Sequence, residues 1–178
     1  DMMNSVSDIS CVSGQMPRIV GLAYASKLYR NNKNLSDMEN FSINGNEVVF
    51  GTIGDASTSE GHFWEAINAC GVLQVPLIMS IWDDGYGISV PSEYHTTRND
   101  LSKALSGFQR SSKKENGYEI FTVHAWDYIN LLKTYQKAEK LAREDHVPCI
   151  IHVKDVTQPQ GHTTCLLYTS DAADDANC

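Results

Sequence analysis

The fold is decided by residues 48–82, which read VVFGTIGDASTSEGHFWEAINACGVLQVPLIMSIW. Residues 48–53 are a short apolar run typical of a buried strand, and residues 77–82 are a second such run. Between them, residues 60–73 carry apolar side chains at helical spacing. Because about two dozen residues connect the two strands, this order predicts a right-handed parallel βαβ unit.

The alternation of helices and strands continues on both sides of this unit. Residues 31–46 and 83–100 are polar or irregular and are predicted to be loops. The remaining predicted elements are helices at 15–30, 101–109 and 127–144, the last capped by Asp127, and strands at 119–123 and 149–153. The sequence therefore predicts an α/β fold with a mainly parallel sheet flanked by helices.

The composition of the 178 residues restricts the classes of partner. Fourteen Lys and Arg against 22 Asp and Glu give a net charge of −8, so we expect no nucleic-acid partner. No apolar run approaches the roughly 18 residues that cross a membrane, so we expect no membrane partner. Five cysteines without a CxxC pair, and opening residues that lack a leader pattern, predict a reducing, cytoplasmic location.

Two acidic residues stand at the ends of the two predicted strands. Asp55 follows the first strand and Asp84 follows the second, 29 positions later. In a parallel sheet both lie at carboxyl-terminal strand ends, where α/β proteins bind ligands. Neighbouring strands are about 4.8 Å apart, so the two carboxylates could hold one hard cation.

The residues beside Asp55 suit an anion. Gly54 and the small residues 56–59 lead into the predicted helix at 60–73, whose free amides and positive dipole end would face a phosphate. A diphosphate bridged by Mg²⁺ requires a cation site and an anion site at one edge of the sheet. The same residues also fit two ordinary turns, with Thr58 or Ser59 capping the helix, and spacing alone leaves both interpretations open.

The longer stretch 54–91, GDASTSEGHFWEAINACGVLQVPLIMSIWDDGYGISVP, resembles a known fingerprint. It is similar, without gaps, to the thiamine-diphosphate motif of the alpha (decarboxylating) subunit of 2-oxo acid dehydrogenases, especially the branched-chain type. SCVSGQMPRIVGLAYASK at 10–27 and QPQGHTT at 158–164 resemble two further segments of that family. The resemblance implies that residues 1–164 are part of a thiamine-diphosphate-binding domain, the part that anchors the diphosphate.

Carried over by position, the resemblance implies a metal site for Mg²⁺. Asp55 and Asp84 would be side-chain ligands, and the backbone carbonyl of Tyr86 would be a third. His162 matches the catalytic histidine that approaches the diphosphate and the reaction intermediates. Thr163 stands where animal members carry a regulatory phosphoserine, although nothing in this sequence argues for regulation.

The resemblance also implies a set of residues that bind thiamine diphosphate. Val12 takes the place of the bulky apolar residue that supports the bent cofactor, and Ser10 and Gln15 fall where some members bind K⁺ or order the cofactor loop. The complete implied set is Ser10, Val12, Gln15, Gly54, Asp55, Ala56, Ser57, Asp84, Tyr86, Ile88 and His162.

Two residues depart from the family pattern. The family usually has Gly where Ala56 stands, so a methyl group could move the backbone away from the phosphate. It usually has Asn where Asp84 stands, so an added carboxylate should make the metal more strictly necessary.

The resemblance implies oxidative decarboxylation of a 2-oxo acid, with transfer of the acyl group to a lipoyl arm. A beta subunit or fused beta half would supply the catalytic glutamate, and a lipoyl acyltransferase core would be a further partner. The alternatives are another thiamine-diphosphate enzyme, of the transketolase or acetoin dehydrogenase type, and a noncatalytic binding domain with the same fold. The sequence leaves open which 2-oxo acid is used and whether the beta half is fused.

The other histidines and the carboxyl-terminal tail carry weaker signals. His62 and His95 are candidates to face the cavity of the site, whereas His124, His146 and His152 fit surface or structural histidines and are left unassigned. Residues 165–175, CLLYTSDAADD, resemble a translated sequencing adapter and interrupt the family resemblance. We therefore expect residues 165–178 to be an artefactual or disordered tail.

Overall fold

A computed structural model describes residues 10–35 and 38–158 of the chain. The helices and strands follow the predicted order closely. The α-helices are α1 (Met16–Asn31), α2 (Gly61–Leu73), α3 (Leu101–Ala104) and α4 (Tyr128–Asp145). The strands are β1 (Val49–Gly54), β2 (Leu77–Trp82), β3 (Tyr86–Gly87), β4 (Val90–Pro91), β5 (Glu119–His124) and β6 (Cys149–Lys154).

The main sheet in the described residues has four parallel strands in the order β1-β2-β6-β5. The register pairs Gly54 with Trp82, Trp82 with Val153, and Val153 with Val123, so all four strands end near the same edge. The predicted α/β class and the parallel pairing of the first two strands are confirmed.

The core lies on both faces of this sheet. One apolar cluster packs α1, α2 and α3 against side chains such as Met79 and Ile81, and the other packs α4 against Ile78 and Ile151. Alternate residues of β2 therefore pack against opposite faces of the sheet, and the first five residues of this strand are buried. Asp127 caps α4 as predicted, because its carboxylate accepts a 3.0 Å hydrogen bond from the Asn130 backbone N–H.

The structure differs from the prediction between residues 83 and 109. A two-stranded antiparallel hairpin, β3 and β4, forms in the segment predicted as an irregular loop. The predicted helix at 101–109 divides into α3 and a 3₁₀ helix, Leu105–Phe108. Strands of two residues are too short to show a periodic pattern of apolar side chains, so the sequence pattern does not predict this hairpin.

A second difference concerns the entry to α2. Ala56–Ser59 form a 3₁₀ helix and Glu60 is extended, so the small residues do not continue directly into α2 as predicted. The Asp55 carbonyl accepts hydrogen bonds from both the backbone N–H and the hydroxyl of Thr58, which closes this separate turn. The N-cap of α2 is Glu60, without a side-chain hydrogen bond, so the alternative caps Thr58 and Ser59 are also wrong.

Within the part of the chain that the structure describes, no helix combines the length and hydropathy needed to cross a membrane.

Candidate functional site

The carboxyl ends of β1 and β2 meet at the candidate site. Gly54 pairs with Trp82 at the last position of both strands, and the Asp55 backbone N–H donates a 3.1 Å hydrogen bond to the Trp82 carbonyl. Asp84 follows two residues after Trp82, in the turn that leads to β3. The structure therefore brings the two predicted acidic ligands to one edge of the sheet.

Asp55 is a buried carboxyl with an unsatisfied oxygen. The residue is 3% exposed, and its Oδ2 has no hydrogen-bond partner among the described residues. Burial raises the pKa of Asp55 to about 7, and the charges of Asp83 and Asp84 add to this effect despite an opposing hydrogen bond from the Ala56 backbone N–H. A cation beside Asp55 would relieve both the desolvation and the repulsion.

Asp83, next to the predicted ligand, has a different role. Its Oδ1 accepts a 3.0 Å hydrogen bond from the Gly85 backbone N–H, and its Oδ2 lies 2.7 Å from Nε2 of His152. Burial alone would raise the pKa of Asp83, but the hydrogen bond and charge of His152, together with the Gly85 backbone N–H and the charge of Lys154, hold that pKa below its usual value. Asp83 therefore stabilises the turn through these two contacts, and we do not assign it as a metal ligand.

His152 connects this turn to α3 and, through Ser102, to the edge strand β5. Its side chain is fully buried, and its Nδ1 lies 2.7 Å from the hydroxyl of Ser102 at the start of α3. Ser102 is in turn 2.8 Å from the Thr122 hydroxyl of β5. His152 is thus a buried, hydrogen-bonded histidine, and its partner Asp83 is not predictable from the sequence pattern.

The turn presents Asp84 and the hairpin residues at the sheet edge. Oδ1 of Asp84 accepts a 3.0 Å hydrogen bond from the Tyr86 backbone N–H, and its Oδ2 accepts a 2.7 Å hydrogen bond from the Gln158 side chain. Tyr86 and Ile88 are largely exposed. Ile88 has a φ of 59°, a strained conformation for a β-branched residue that occurs mainly where function requires it.

The 10–15 segment, which carries three predicted cofactor residues, reaches the same region. The Ser13 hydroxyl donates a 2.8 Å hydrogen bond to the Ser57 carbonyl, which links this segment to the turn after β1. The Gln15 side-chain amide donates to the Thr52 carbonyl of β1 at 3.1 Å. Ser10 and Val12 are exposed. The predicted K⁺ role of Ser10 and Gln15 stays a prediction.

A cavity of about 480 Å³ adjoins the turn that follows β1. Its walls come from the 3₁₀ turn, α2, the segment after β4, and α3. The lining residues are Thr58, Ser59, Trp64, His95, Thr96, Thr97, Arg98, Leu101, Lys103, Ala104 and Ser106. Of the two histidines predicted to face a cavity, His95 lines this one, whereas His62 is exposed and is not among its walls.

The available oxygen atoms suit a hard cation. Asp55 and Asp84 supply carboxylates, and hard cations such as Mg²⁺ prefer oxygen ligands. Residues 10–35 and 38–158 contain no cluster of three or more His, Cys, Asp or Glu side chains placed to hold a metal. A cation here would therefore need backbone carbonyl, water or ligand oxygens as well, which fits a diphosphate. His162, Thr163 and the tail at 165–178 lie outside the described residues.

Ala56, one of the departures from the family pattern, contacts the hairpin. A Cβ added to Gly87 would lie only 2.7 Å from the Cβ of Ala56. The hairpin can therefore approach the turn after β1 only because position 87 lacks a side chain. The methyl group of Ala56 fills the space that the missing side chain leaves.

We expect Gly87→Ala to lower the free energy of unfolding by about 1–3 kcal/mol, because two methyl groups cannot occupy this contact. The double variant Ala56→Gly/Gly87→Ala should recover most of that loss. Urea unfolding of the four proteins of this cycle measures the coupling. Additive effects of the two substitutions would contradict the contact.

Comparison with known proteins identifies a matching family and several relatives of this chain. The family model of the dehydrogenase E1 component matches residues 3–164. The 2-oxoisovalerate dehydrogenase subunit alpha of Bacillus subtilis is 27% identical over 146 residues, which cover 82% of this chain and 38% of that protein. The mitochondrial subunit alpha of Caenorhabditis elegans is 33% identical over 159 residues, which cover 89% of this chain and 31% of that protein.

Two further similarities are to proteins of other kinds. The alpha subunit of acetoin:2,6-dichlorophenolindophenol oxidoreductase of Cupriavidus necator is 30% identical over 78 residues, 44% of this chain and 23% of that protein. The fold is similar to that of a transketolase from Campylobacter jejuni, with a TM-score of 0.58 and 18% identity over 80% of this chain and 19% of that one. The chain spans less than two fifths of the length of each of these four proteins.

Proposed function

The chain belongs to the dehydrogenase E1 component family, and from this premise we propose that it is the diphosphate-anchoring part of a thiamine-diphosphate-dependent 2-oxo acid dehydrogenase alpha subunit. The reaction is oxidative decarboxylation of a 2-oxo acid, with a branched-chain acid as the favoured substrate. The 2-oxoisovalerate dehydrogenase relatives support this substrate class.

The observation that carries the proposal is the buried, unsatisfied carboxyl of Asp55 at the edge shared by β1 and β2. Removing such a group from water is costly unless a partner compensates. Asp84 adds a second carboxylate at the same edge, and both positions match the family's metal ligands. A divalent cation bridging these oxygens to a diphosphate would compensate the buried charge.

The residues of this chain would bind and orient the cofactor. Asp55, Asp84 and the Tyr86 carbonyl would hold Mg²⁺, while Ala56, Ser57 and the hairpin would border the diphosphate. When bound, thiamine diphosphate supplies the carbanion that adds to the 2-oxo group and accepts the electrons left by CO₂. His162 is proposed to approach the diphosphate and the substrate.

The proposal requires partners for a complete reaction. The beta subunit, or a fused beta half, would supply the glutamate that activates the cofactor, and a lipoyl acyltransferase core would receive the acyl group. Within the described residues, Cys11, Cys70 and Cys149 are free thiols, which supports a reducing compartment such as the cytoplasm. The family match ends at residue 164, which supports a domain at 1–164 and a foreign tail at 165–178.

A second candidate is an acetoin dehydrogenase, which would share the anchor and differ in the substrate pocket. The Cupriavidus necator relative favours it, although the similarity covers less than half of this chain. A panel that includes acetoin besides 2-oxo acids separates the two.

The test uses the full-length protein with its beta subunit, Mg²⁺ and thiamine diphosphate. We expect substrate-dependent reduction of an artificial electron acceptor with branched-chain 2-oxo acids. The 178-residue chain alone should give no turnover, because general acid–base catalysis needs a group within hydrogen-bond reach and the activating glutamate would be missing. Turnover by this chain alone would contradict the proposed division of labour.

A further inference from the structure

His95 lies opposite the candidate metal ligand Asp55. Its Nε2 is 3.9 Å from Oδ2 of Asp55, and the two side chains are 13% and 4% exposed. Both atoms are shielded from solvent, and neither has a hydrogen-bond partner within the described residues. An unsatisfied buried polar atom is destabilising, so two that face each other indicate an interaction that a small shift completes.

The ring of His95 is fixed from several sides. Its Nδ1 lies 2.9 Å from the Thr96 hydroxyl, and its backbone carbonyl accepts a 3.1 Å hydrogen bond from the Ser59 hydroxyl. The ring also lies beside Gly87 of the hairpin, where a Cβ would be in ordinary van der Waals contact, 3.7 Å from Cδ2 and 3.9 Å from Nε2 of His95. The ring is therefore held beside Asp55 rather than free to turn into solvent.

The hydrogen bond at Nδ1 determines whether Nε2 of the neutral ring carries a proton and can donate it in a hydrogen bond. If the Thr96 hydroxyl donates to Nδ1, the proton of the neutral imidazole resides on Nε2 and points toward the Asp55 carboxyl, which in its ionised, cation-binding form can only accept. A movement of about 1 Å would bring the two atoms to hydrogen-bond distance. Carboxylates that bind metals are commonly oriented by such an outer hydrogen bond.

We propose that His95 is a positioning residue of the diphosphate anchor, whose Nε2–H donates to one lone pair of Asp55 Oδ2 and so orients the carboxylate toward the cation. This inference rests on the proposed function. It concerns only hydrogen bonding, so no bond is formed or broken. The donor orients the carboxylate, whereas His95 itself touches neither substrate nor cation.

The adjoining cavity makes a selective test possible, because His95 forms part of its wall. In the full-length protein with its beta subunit, calorimetry would measure the Mg²⁺-dependent affinity for thiamine diphosphate. We expect His95→Ala to lower this affinity about 10- to 100-fold, the usual effect of removing an outer partner of a metal ligand. Added imidazole should restore it, whereas 1-methylimidazole, which has no N–H to donate, should not.

Two further variants sharpen the test. His95→Gln keeps an N–H donor on the side chain and should retain most of the affinity. Thr97→Ala alters the same cavity wall without touching Asp55 and should leave the affinity unchanged. Equal rescue by imidazole and 1-methylimidazole would show that His95 only fills space, and would overturn the inference.

The outcome separates this inference from the proposed function. Loss of binding in Asp55→Ala with full binding in His95→Ala overturns the role of His95 alone, whereas full binding in Asp55→Ala overturns the anchor itself. If His95→Ala does not fold, ¹⁵N spectra of the histidine rings in the unaltered protein decide. The Nε2 signal of His95 should shift when Mg²⁺ and thiamine diphosphate are added, and an unchanged signal overturns the inference.

Discussion

Replacing Asp55 by alanine is expected to abolish Mg²⁺-dependent binding of thiamine diphosphate, with an affinity loss of at least about 100-fold. The variant removes the only buried carboxylate of the anchor, and Asp84 remains as a single acidic ligand at the sheet edge. Calorimetry on the intact protein, with and without a chelator, measures the loss. Glu60→Ala is the matched control, since it removes an exposed carboxylate five positions away.

Although Asp55 is expected to be needed for cofactor binding, its buried charge is expected to destabilise the fold when no cation is bound. The folded-state pKa of Asp55 is raised to about 7 from 3.8, so stability falls as pH rises between these two values. Without divalent cations at pH 8, Asp55→Asn should therefore be more stable than the unaltered protein, on the order of 2–4 kcal/mol. At pH 3.5 the carboxyl is mostly protonated in both states, and this ionisation contribution to the difference should nearly vanish.

Urea unfolding in the presence of a chelator, at the two pH values, tests this expectation. Addition of Mg²⁺ should stabilise the unaltered protein at pH 8 and leave Asp55→Asn nearly unchanged. A less stable Asp55→Asn variant under metal-free conditions at pH 8 would show that the buried charge is compensated within the chain.

The second large effect is expected at His152. His152→Ala should lower the free energy of unfolding by about 2–4 kcal/mol, because it leaves the carboxylate of Asp83 without its partner and opens a hole between β5 and β2. The neighbouring Ser102→Ala should cost about 1–2 kcal/mol, since it removes the neutral hydrogen bonds to His152 and Thr122 but no ion pair.

His124 provides a matched control for this prediction. It also pairs with a carboxylate, that of Asp155, but both side chains are largely exposed. Exposed ion pairs contribute about 0–1 kcal/mol, so His124→Ala should have little effect in the same urea unfolding experiment. Similar losses in the two histidine variants would show that burial does not set the strength of the Asp83–His152 pair.

The fold was predictable where local patterns determine it. Apolar runs and helical spacing gave β1, α2 and β2 to within one residue of their ends, and the long helical connection predicted that the two strands run parallel. The place of β6 between β2 and β5 was not predictable, because no local pattern specifies strand order. The β3–β4 hairpin was missed because two-residue strands have no period.

The candidate site was predictable to the same extent. The spacing of Asp55 and Asp84 predicted that both would lie at one edge, which the strand register confirms. The roles of Asp83 and His152 depend on a contact between residues 69 positions apart, which one sequence does not reveal. A histidine within the apolar run of β6 was the available signal, since buried polar side chains require partners.

The central position of β6 also has a consequence for how the chain is made in a cell. A ribosome releases β1 and β2 first, but a two-stranded parallel ribbon is not stable alone, and β5 follows without a neighbour. Among the described strands, β6 comes last in the sequence; it joins β2 to β5 and brings His152 to Asp83, 69 residues later. At a synthesis rate of about 5–20 residues per second, the edge of β2 that later pairs with β6 stays unpaired for roughly 3–14 s. Chaperones that cover unpaired strands during translation would therefore act on this chain before the site at its sheet edge exists.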